Sequence, residues 1–224
     1  MSLSERKLPD YTLGEELCNS ISHGVGAVLS VAALVLCVIQ AAATGSALAV
    51  VSAAIYGAAL IFLYCNSTIY HALKRNRAKK VMRIIDHCSI FLLIAGTYTP
   101  YTLIALRQAD AVCGWIVFAV VWGMAIFGIV LNSISLERFK VLSMVCYLAM
   151  GWSIILTFKP LMTVLNGPGL YLLIWGGLAY TVGAVLYGIG AKVKYIHSLF
   201  HIFVVVGSIL HFFSIFLYTL PLAK

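Results

Sequence analysis

Two histidines four residues apart, His197 and His201, stand near the start of the last long apolar stretch, in "KYIHSLFHIF". Residues four apart on an α-helix share a face and are separated by about 6 Å along its axis. A third imidazole from a neighbouring helix would give the three protein ligands that are typical of a catalytic zinc site. The pair therefore predicts a metal site, although such pairs also occur as packed or interfacial residues.

An acid and a serine stand at the ends of other apolar stretches. Asp86 begins one of them, and Ser67 precedes His71 by four residues at the end of another. Ionisable groups inside a membrane segment are costly and usually functional. Asp86 could orient a histidine, hold a metal-bound water or accept its proton. Ser67 could donate a hydrogen bond to that water.

A second set of polar residues could form hydrogen bonds that hold the ligands of such a site in position. Glu16, Asn19 and His23 fall on one face if the first helix begins one turn before its apolar run. We place them as possible second-shell residues, with His23 more typical of a hydrogen-bonded structural residue.

Two further histidines are weaker candidates. His87 follows Asp86 directly and so points about 100° away from it. We keep it as a possible second-shell residue. His211 lies about 15 Å along the helix from His201, too far to share a metal, and is interpreted as packing or as lining a deeper cavity.

Composition determines the class of protein that must position these groups. Hydrophobic residues make up 62% of the 224 residues and charged residues only 10%, against about 45–50% and 25% in soluble domains. The sequence predicts an all-α integral membrane protein. We expect one domain, 1–224, with a short cytoplasmic N-terminal segment, 1–17. Seven apolar runs are long enough to cross a bilayer: 18–42, 46–70, 83–106, 112–131, 140–158, 169–190 and 196–219.

The basic residues predict the orientation of this seven-helix bundle. Lys and Arg are enriched in cytoplasmic loops. Twelve would share the side of the N-terminus: Arg6, Lys7, Lys74, Arg75, Arg77, Lys79, Lys80, Arg83, Arg138, Lys140, Lys192 and Lys194. Only Arg107, Lys159 and Lys224 fall on the other side. We expect a cytoplasmic N-terminus and an external C-terminus.

Three classes of function are disfavoured. The net charge of +8 comes from these short loops, so it is interpreted as a determinant of topology rather than of nucleic-acid binding. A retinal protein needs a lysine inside its last span, and there is none between Lys194 and Lys224. A pore needs polar groups through the whole membrane, whereas those found here gather at one side.

The chain resembles the hemolysin III family, the bacterial branch of the progestin and AdipoQ receptors (PAQR). The resemblance covers nearly the whole chain. It rests on four motifs in order, "EELCNSISHGVG" (15–26), "NSTIYHAL" (66–73), "DHCSIFLLIAGTYTPY" (86–101) and "HSLFHIF" (197–203).

The resemblance implies a zinc ion near the cytoplasmic face of a seven-helix bundle. Its three ligands match His71, His197 and His201, and the neighbouring aspartate and serine match Asp86 and Ser67. It also implies a multi-pass protein of the bacterial inner membrane that acts in membrane-lipid homeostasis, with a membrane lipid as its substrate or ligand.

Three functions remain open from the sequence. The first is a zinc-dependent hydrolase of a lipid amide or ester, similar to a ceramidase, with Asp86 and Ser67 in catalytic roles. The second is a non-catalytic homeostasis factor or sensor whose zinc is structural. The third, which the polar pattern disfavours, is a hemolysin-type pore. The sequence does not indicate an oligomeric state.

Overall fold

The computed structural model describes residues 8–165, 167–190 and 193–223. These ranges contain seven helices that are long and apolar enough to cross a membrane. Their bounds are α1 Leu13–Ala42, α2 Ala47–Ala72, α3 Arg77–Ala109, α4 Ala111–Ile134, α5 Leu136–Met162, α6 Gly167–Ile189 and α7 Ile196–Ala223. The predicted all-α fold with seven spans is confirmed. Four of the basic residues used to predict orientation, Arg6, Lys7, Lys192 and Lys224, lie outside the described residues.

Several helices extend beyond the apolar runs from which they were predicted. α3 begins at Arg77 rather than at residue 83, because the side chain of Asn76 accepts a hydrogen bond from the backbone N–H of Lys79 and so caps the helix. α1 begins at Leu13, where Thr12 and Glu15 form a reciprocal capping box. These caps add polar turns to apolar spans, and the turns carry residues of the site.

The buried faces of α1 and α7 explain how the polar residues come together. Buried residues recur every three or four positions along both helices, as expected for one packed stripe. On α1 this stripe begins with Glu15, Asn19 and His23. On α7 it carries His197 and His201. Since α1 packs against both α2 and α7, these polar ends meet. We call this end of the bundle the histidine end.

α3 is the central helix. In its apolar window 83% of residues are buried, against 22–50% in the other six spans. Its α-helical part ends at Pro100, and a π-helical segment follows over Tyr101–Leu106. Proline cannot donate a backbone hydrogen bond, and π-helical turns often occur at functional sites. Tyr101, the first residue of that segment, lines an internal cavity.

Candidate metal centre

Three buried histidines from two helices converge at the histidine end. His71 is on the last turn of α2, and His197 and His201 are on the first turns of α7. One nitrogen from each ring lies within 4.8 Å of the other two. The Nε2 atoms of His197 and His201 are 3.2 Å apart, close to the roughly 3.3 Å between two nitrogens of a tetrahedral zinc site. We call these three residues the triad, and they could bind a metal.

Hydrogen bonds to two of the three rings fix which of their nitrogens faces the centre of the triad. His71 Nδ1 is 2.7 Å from a carboxylate oxygen of Glu16. His201 Nδ1 is 3.2 Å from the backbone carbonyl of Asn19. Both partners can only accept, so each Nδ1 carries the proton and each Nε2 keeps its lone pair. Such outer hydrogen bonds are a regular feature of metal-binding histidines.

His71 Nε2 is the strongest sign that the triad fits a metal. This atom is buried and has no hydrogen-bond partner among the residues that the structure describes. A buried nitrogen without a partner is costly, and a divalent cation would satisfy it. Three imidazoles without a thiolate suit a transition-metal ion such as zinc, copper, iron or nickel.

A buried lysine completes the support of the triad. Lys79 Nζ donates to Glu16 Oε1 at 2.6 Å and to the carbonyl of Leu73 at 2.9 Å, and its side chain is only 3% exposed. Glu16 therefore joins Lys79 to His71 through its two oxygens. From the sequence, Lys79 was interpreted only as a charge that sets topology. No local pattern marks it as buried, because its partner Glu16 is 63 residues away in the chain.

Tyr11 covers the triad from the N-terminal side. Its ring stacks on His197 with centroids 4.9 Å apart. Burial, together with nearby Tyr187 and Glu16, raises the pKa of the Tyr11 phenol above its usual range, so the hydroxyl stays neutral. Tyr11 precedes the first apolar run and has no helical spacing to the site, which is why the sequence did not indicate it.

Asp86 and Ser67 lie beside the triad rather than within it. The Ser67 hydroxyl lies close to the Asp86 carboxyl, and Ser67 is buried one turn before His71. Asp86 keeps 15% of its side chain exposed. The group that could hold a metal consists of the three histidines, and Asp86 does not belong to it.

Of the other predicted site residues, Asn19 and His23 contact α7 at the triad, whereas His87 does not. Asn19 accepts a hydrogen bond from Ser198 at 2.6 Å, which ties α1 to α7. The His23 ring stacks on His201 with centroids 3.7 Å apart. His87 is directed elsewhere, because its Nδ1 is 2.8 Å from the carbonyl of Arg83 and its Nε2 is 3.0 Å from the Tyr187 hydroxyl.

Two cavities meet at Asp86. The larger, about 510 Å³, lies at the histidine end and is lined by Tyr11 and His197 among others. The second, about 170 Å³, runs inside the bundle from His201 to His211, and we call it the inner cavity. Asp86, His87 and Tyr187 line both. The site thus combines a polar approach with a largely apolar interior.

Comparison with known proteins agrees with this architecture. The family described as "Haemolysin-III related" matches residues 11–212. Similar proteins include "Hemolysin-3" of Bacillus cereus, 43% identical over 94% of both chains. "Hemolysin-3 homolog" of Bacillus subtilis (strain 168) is 41% identical over 93% of this chain and 96% of its own.

A more distant human protein is also similar. "Monocyte to macrophage differentiation factor" of Homo sapiens is 28% identical, covering 75% of this chain and 70% of its own. No solved structure matches this chain. On the family match and the bacterial relatives, the chain belongs to the haemolysin-III related family.

Proposed function

We propose that the protein is a zinc-dependent hydrolase of a membrane-lipid amide or ester. The observation that carries this proposal is the three-histidine group beside the two cavities, of which His201 lines the inner one and His197 the other. Three protein ligands leave a position open, as catalytic zinc sites do, whereas structural sites are usually closed by four. Asp86 lines both cavities without belonging to the group, and would act beside the ion.

The triad would hold the ion, which would supply Lewis-acid polarisation and lower the pKa of water to about 7. Asp86 would accept the proton of the attacking water and pass it to the leaving nitrogen or oxygen. Ser67, whose hydroxyl lies close to that carboxyl, would donate a hydrogen bond to it and keep it in place. The water adds to the carbonyl carbon and the carbon–nitrogen or carbon–oxygen bond breaks.

The inner cavity would take the acyl chain. Its lining is mostly apolar and includes Ile155 on α5, which is 57% exposed. The cavity therefore reaches the lipid-facing surface at this point, and a chain could enter from the membrane. The cavity at the histidine end would supply water to Asp86.

We also propose that the histidine end faces the cytoplasm of a bacterial inner membrane. Nine described basic residues belong to this end, from Lys74 to Lys194, and two, Arg107 and Lys159, to the other. A single cysteine at Lys74 should react with an impermeant maleimide only after the cells are opened. Reaction in intact cells would show that the histidine end faces the outside.

The hydrolase proposal is tested by the release of fatty acid. Purified, zinc-loaded protein is incubated with labelled ceramide and labelled ester lipids, and Asp86→Asn is compared with the unchanged protein. We expect release to fall at least a hundredfold, since proton transfer by a positioned side chain contributes about 10²–10⁴. Asp110→Asn, the same change at an exposed helix cap, is the matched control. Equal release by the Asp86 variant would contradict the proposal.

A second candidate is a non-catalytic homeostasis factor in which the ion links α2 to α7. The hydrogen bonds that connect the triad to α1 and α3 favour it, because they make the metal part of one rigid cluster. Cells in which Asp86→Asn restores normal membrane fluidity would support this function. Loss of that rescue with retained zinc would support the hydrolase.

A further inference from the structure

A second group of polar residues lies at the far end of the inner cavity. Thr97 and Tyr101 on α3, Tyr180 on α6 and His211 on α7 all line it, and we call them the far-end cluster. His211 is ten residues after His201 on an α-helix, which places the cluster about 15 Å from the triad. The metal site does not use any of these residues.

His211 is held in a defined position. Its ring stacks on Tyr180 with centroids 5.2 Å apart and lies edge-on to Tyr101 at 6.2 Å. A Cβ on Gly176 would come within 2.8 Å of His211 Nε2. The ring therefore fits against α6 only because residue 176 is glycine.

Three polar atoms of this cluster have unused hydrogen-bonding capacity. His211 Nδ1, Thr97 Oγ1 and the Tyr101 hydroxyl are buried and lack a hydrogen-bond partner within residues 8–165, 167–190 and 193–223. His211 is 6% exposed, Thr97 5% and Tyr101 1%. By contrast, Tyr180 is satisfied, because its hydroxyl is 2.8 Å from Ser208 Oγ. Buried polar groups in folded proteins nearly always have partners, so these three atoms point to a ligand.

We propose that the far-end cluster binds a hydroxyl group on the acyl chain of the lipid, far from the carbonyl. This inference rests on the proposed function, which places the carbonyl at the triad. About 15 Å corresponds to roughly twelve bonds of an extended chain, at about 1.25 Å a bond. A chain hydroxyl at that distance donates to the lone-pair nitrogen of His211 and accepts from Thr97.

The chemistry favours an oxygenated chain over a plain one. A plain chain would leave His211 Nδ1 and Thr97 Oγ1 buried against methylene groups, which costs more than leaving them to water. The cavity of about 170 Å³ is also far larger than the 10–15 Å³ that one water needs. The far end therefore selects for the position of the oxygen along the chain.

The test compares three fatty acids as probes: stearic acid, 12-hydroxystearic acid and 3-hydroxystearic acid. Their dissociation constants are measured by competition with a fluorescent fatty acid on protein in nanodiscs. We expect the 12-hydroxy acid to bind roughly fivefold more tightly than stearic acid, the effect of about one net hydrogen bond. His211→Phe and Thr97→Val, which keep ring stacking and side-chain shape, should bring that ratio close to one. Neither should lower the affinity for the 3-hydroxy acid, because its chain carries no oxygen at the far end.

The outcomes separate this inference from the proposed hydrolysis. Asp86→Asn should keep the preference for the 12-hydroxy acid, because it leaves the far end unchanged. If the unchanged protein prefers the 12-hydroxy acid but hydrolyses none of the labelled lipids, the far-end site is supported and the hydrolase proposal is wrong. Equal binding of stearic and 12-hydroxystearic acids, or a ratio that neither far-end variant lowers, would overturn the far-end site. Because ratios are compared between variants, differences in how the acids partition into lipid cancel.

Discussion

The histidine end and the far end of the inner cavity contain the same residue type at similar burial but differ in what surrounds it. His201 and His211 are 1% and 6% exposed and lie on the same face of α7. His201 has a carbonyl behind its Nδ1 and another imidazole in front of its Nε2. His211 has aromatic rings and a glycine around it. Burial alone therefore does not define a metal site, whereas oriented, converging lone pairs do.

The largest effect expected from this difference is on metal binding. His197→Ala removes one of three ligands and should lower zinc affinity by at least a hundredfold, since the remaining two cannot complete the site. His211→Ala is the matched change on the same helix and should leave affinity unchanged. Zinc titration against a fluorescent chelator measures both. An equal loss of zinc affinity in the two variants would contradict the distinction between the histidine end and the far end of the inner cavity.

The second prediction concerns the network behind His71. Glu16→Gln should lower zinc affinity about 10- to 100-fold, because the carboxylate that orients His71 becomes a neutral amide. Lys79→Met should lower the free energy of unfolding by about 3–5 kcal/mol, because it leaves Glu16 without its buried cation. Zinc titration and denaturant unfolding of the apo-protein check the two effects.

The double variant sharpens this second test. The free energy of unfolding is measured for both single variants and for the double variant. Glu16→Gln with Lys79→Met should lower it by less than the sum of the two single losses, since the two residues share one interaction. Strict additivity would mean that the two side chains do not interact in the folded protein.

A third prediction concerns the packing of the His211 ring against α6. Gly176→Ala should lower the free energy of unfolding by about 1–3 kcal/mol, because the new methyl group overlaps the His211 ring. Gly188→Ala is the control on the same helix, where a Cβ meets no atom within 4 Å. Thermal unfolding should separate the two. A neutral Gly176→Ala would show that His211 is free to move aside.

The smallest change in stability is expected from an exposed ion pair at the surface. Arg75 and Asp10 form an ion pair of 2.7 Å with side chains 55% and 91% exposed. Exposed pairs contribute about 0–1 kcal/mol, so Asp10→Asn should change the unfolding free energy by less than that and leave zinc affinity unaltered. A large loss of zinc would mean that the segment carrying Tyr11 is held over His197 by this pair.

The sequence predicted the parts of this architecture that depend on periodicity. Continuous apolar runs predicted seven spans, and the i, i+4 spacing placed His197 and His201 on one face. The ends of the helices were harder to predict. The caps at Thr12 and Asn76 extend α1 and α3 into polar sequence, which a hydropathy pattern does not identify as helical. The π-helical segment after Pro100 likewise depends on packing around α3.

Contacts between distant segments were not predictable from local pattern. Lys79 is buried only because α3 places it beside Glu16 of α1. Tyr195 has a positive φ of 61° where its backbone N–H donates to Glu15, a strain that a tertiary contact maintains. Tyr11 reaches His197 across the fold. Each of these follows from which helices neighbour one another, and the composition of a single stretch does not contain that information.

The most direct test of the central claim is the metal content of the protein purified from zinc-replete cells. The account predicts about one zinc ion per chain in the unchanged protein and in His211→Ala, and almost none in His197→Ala. A metal-free unchanged protein, or equal zinc in His197→Ala, would contradict it.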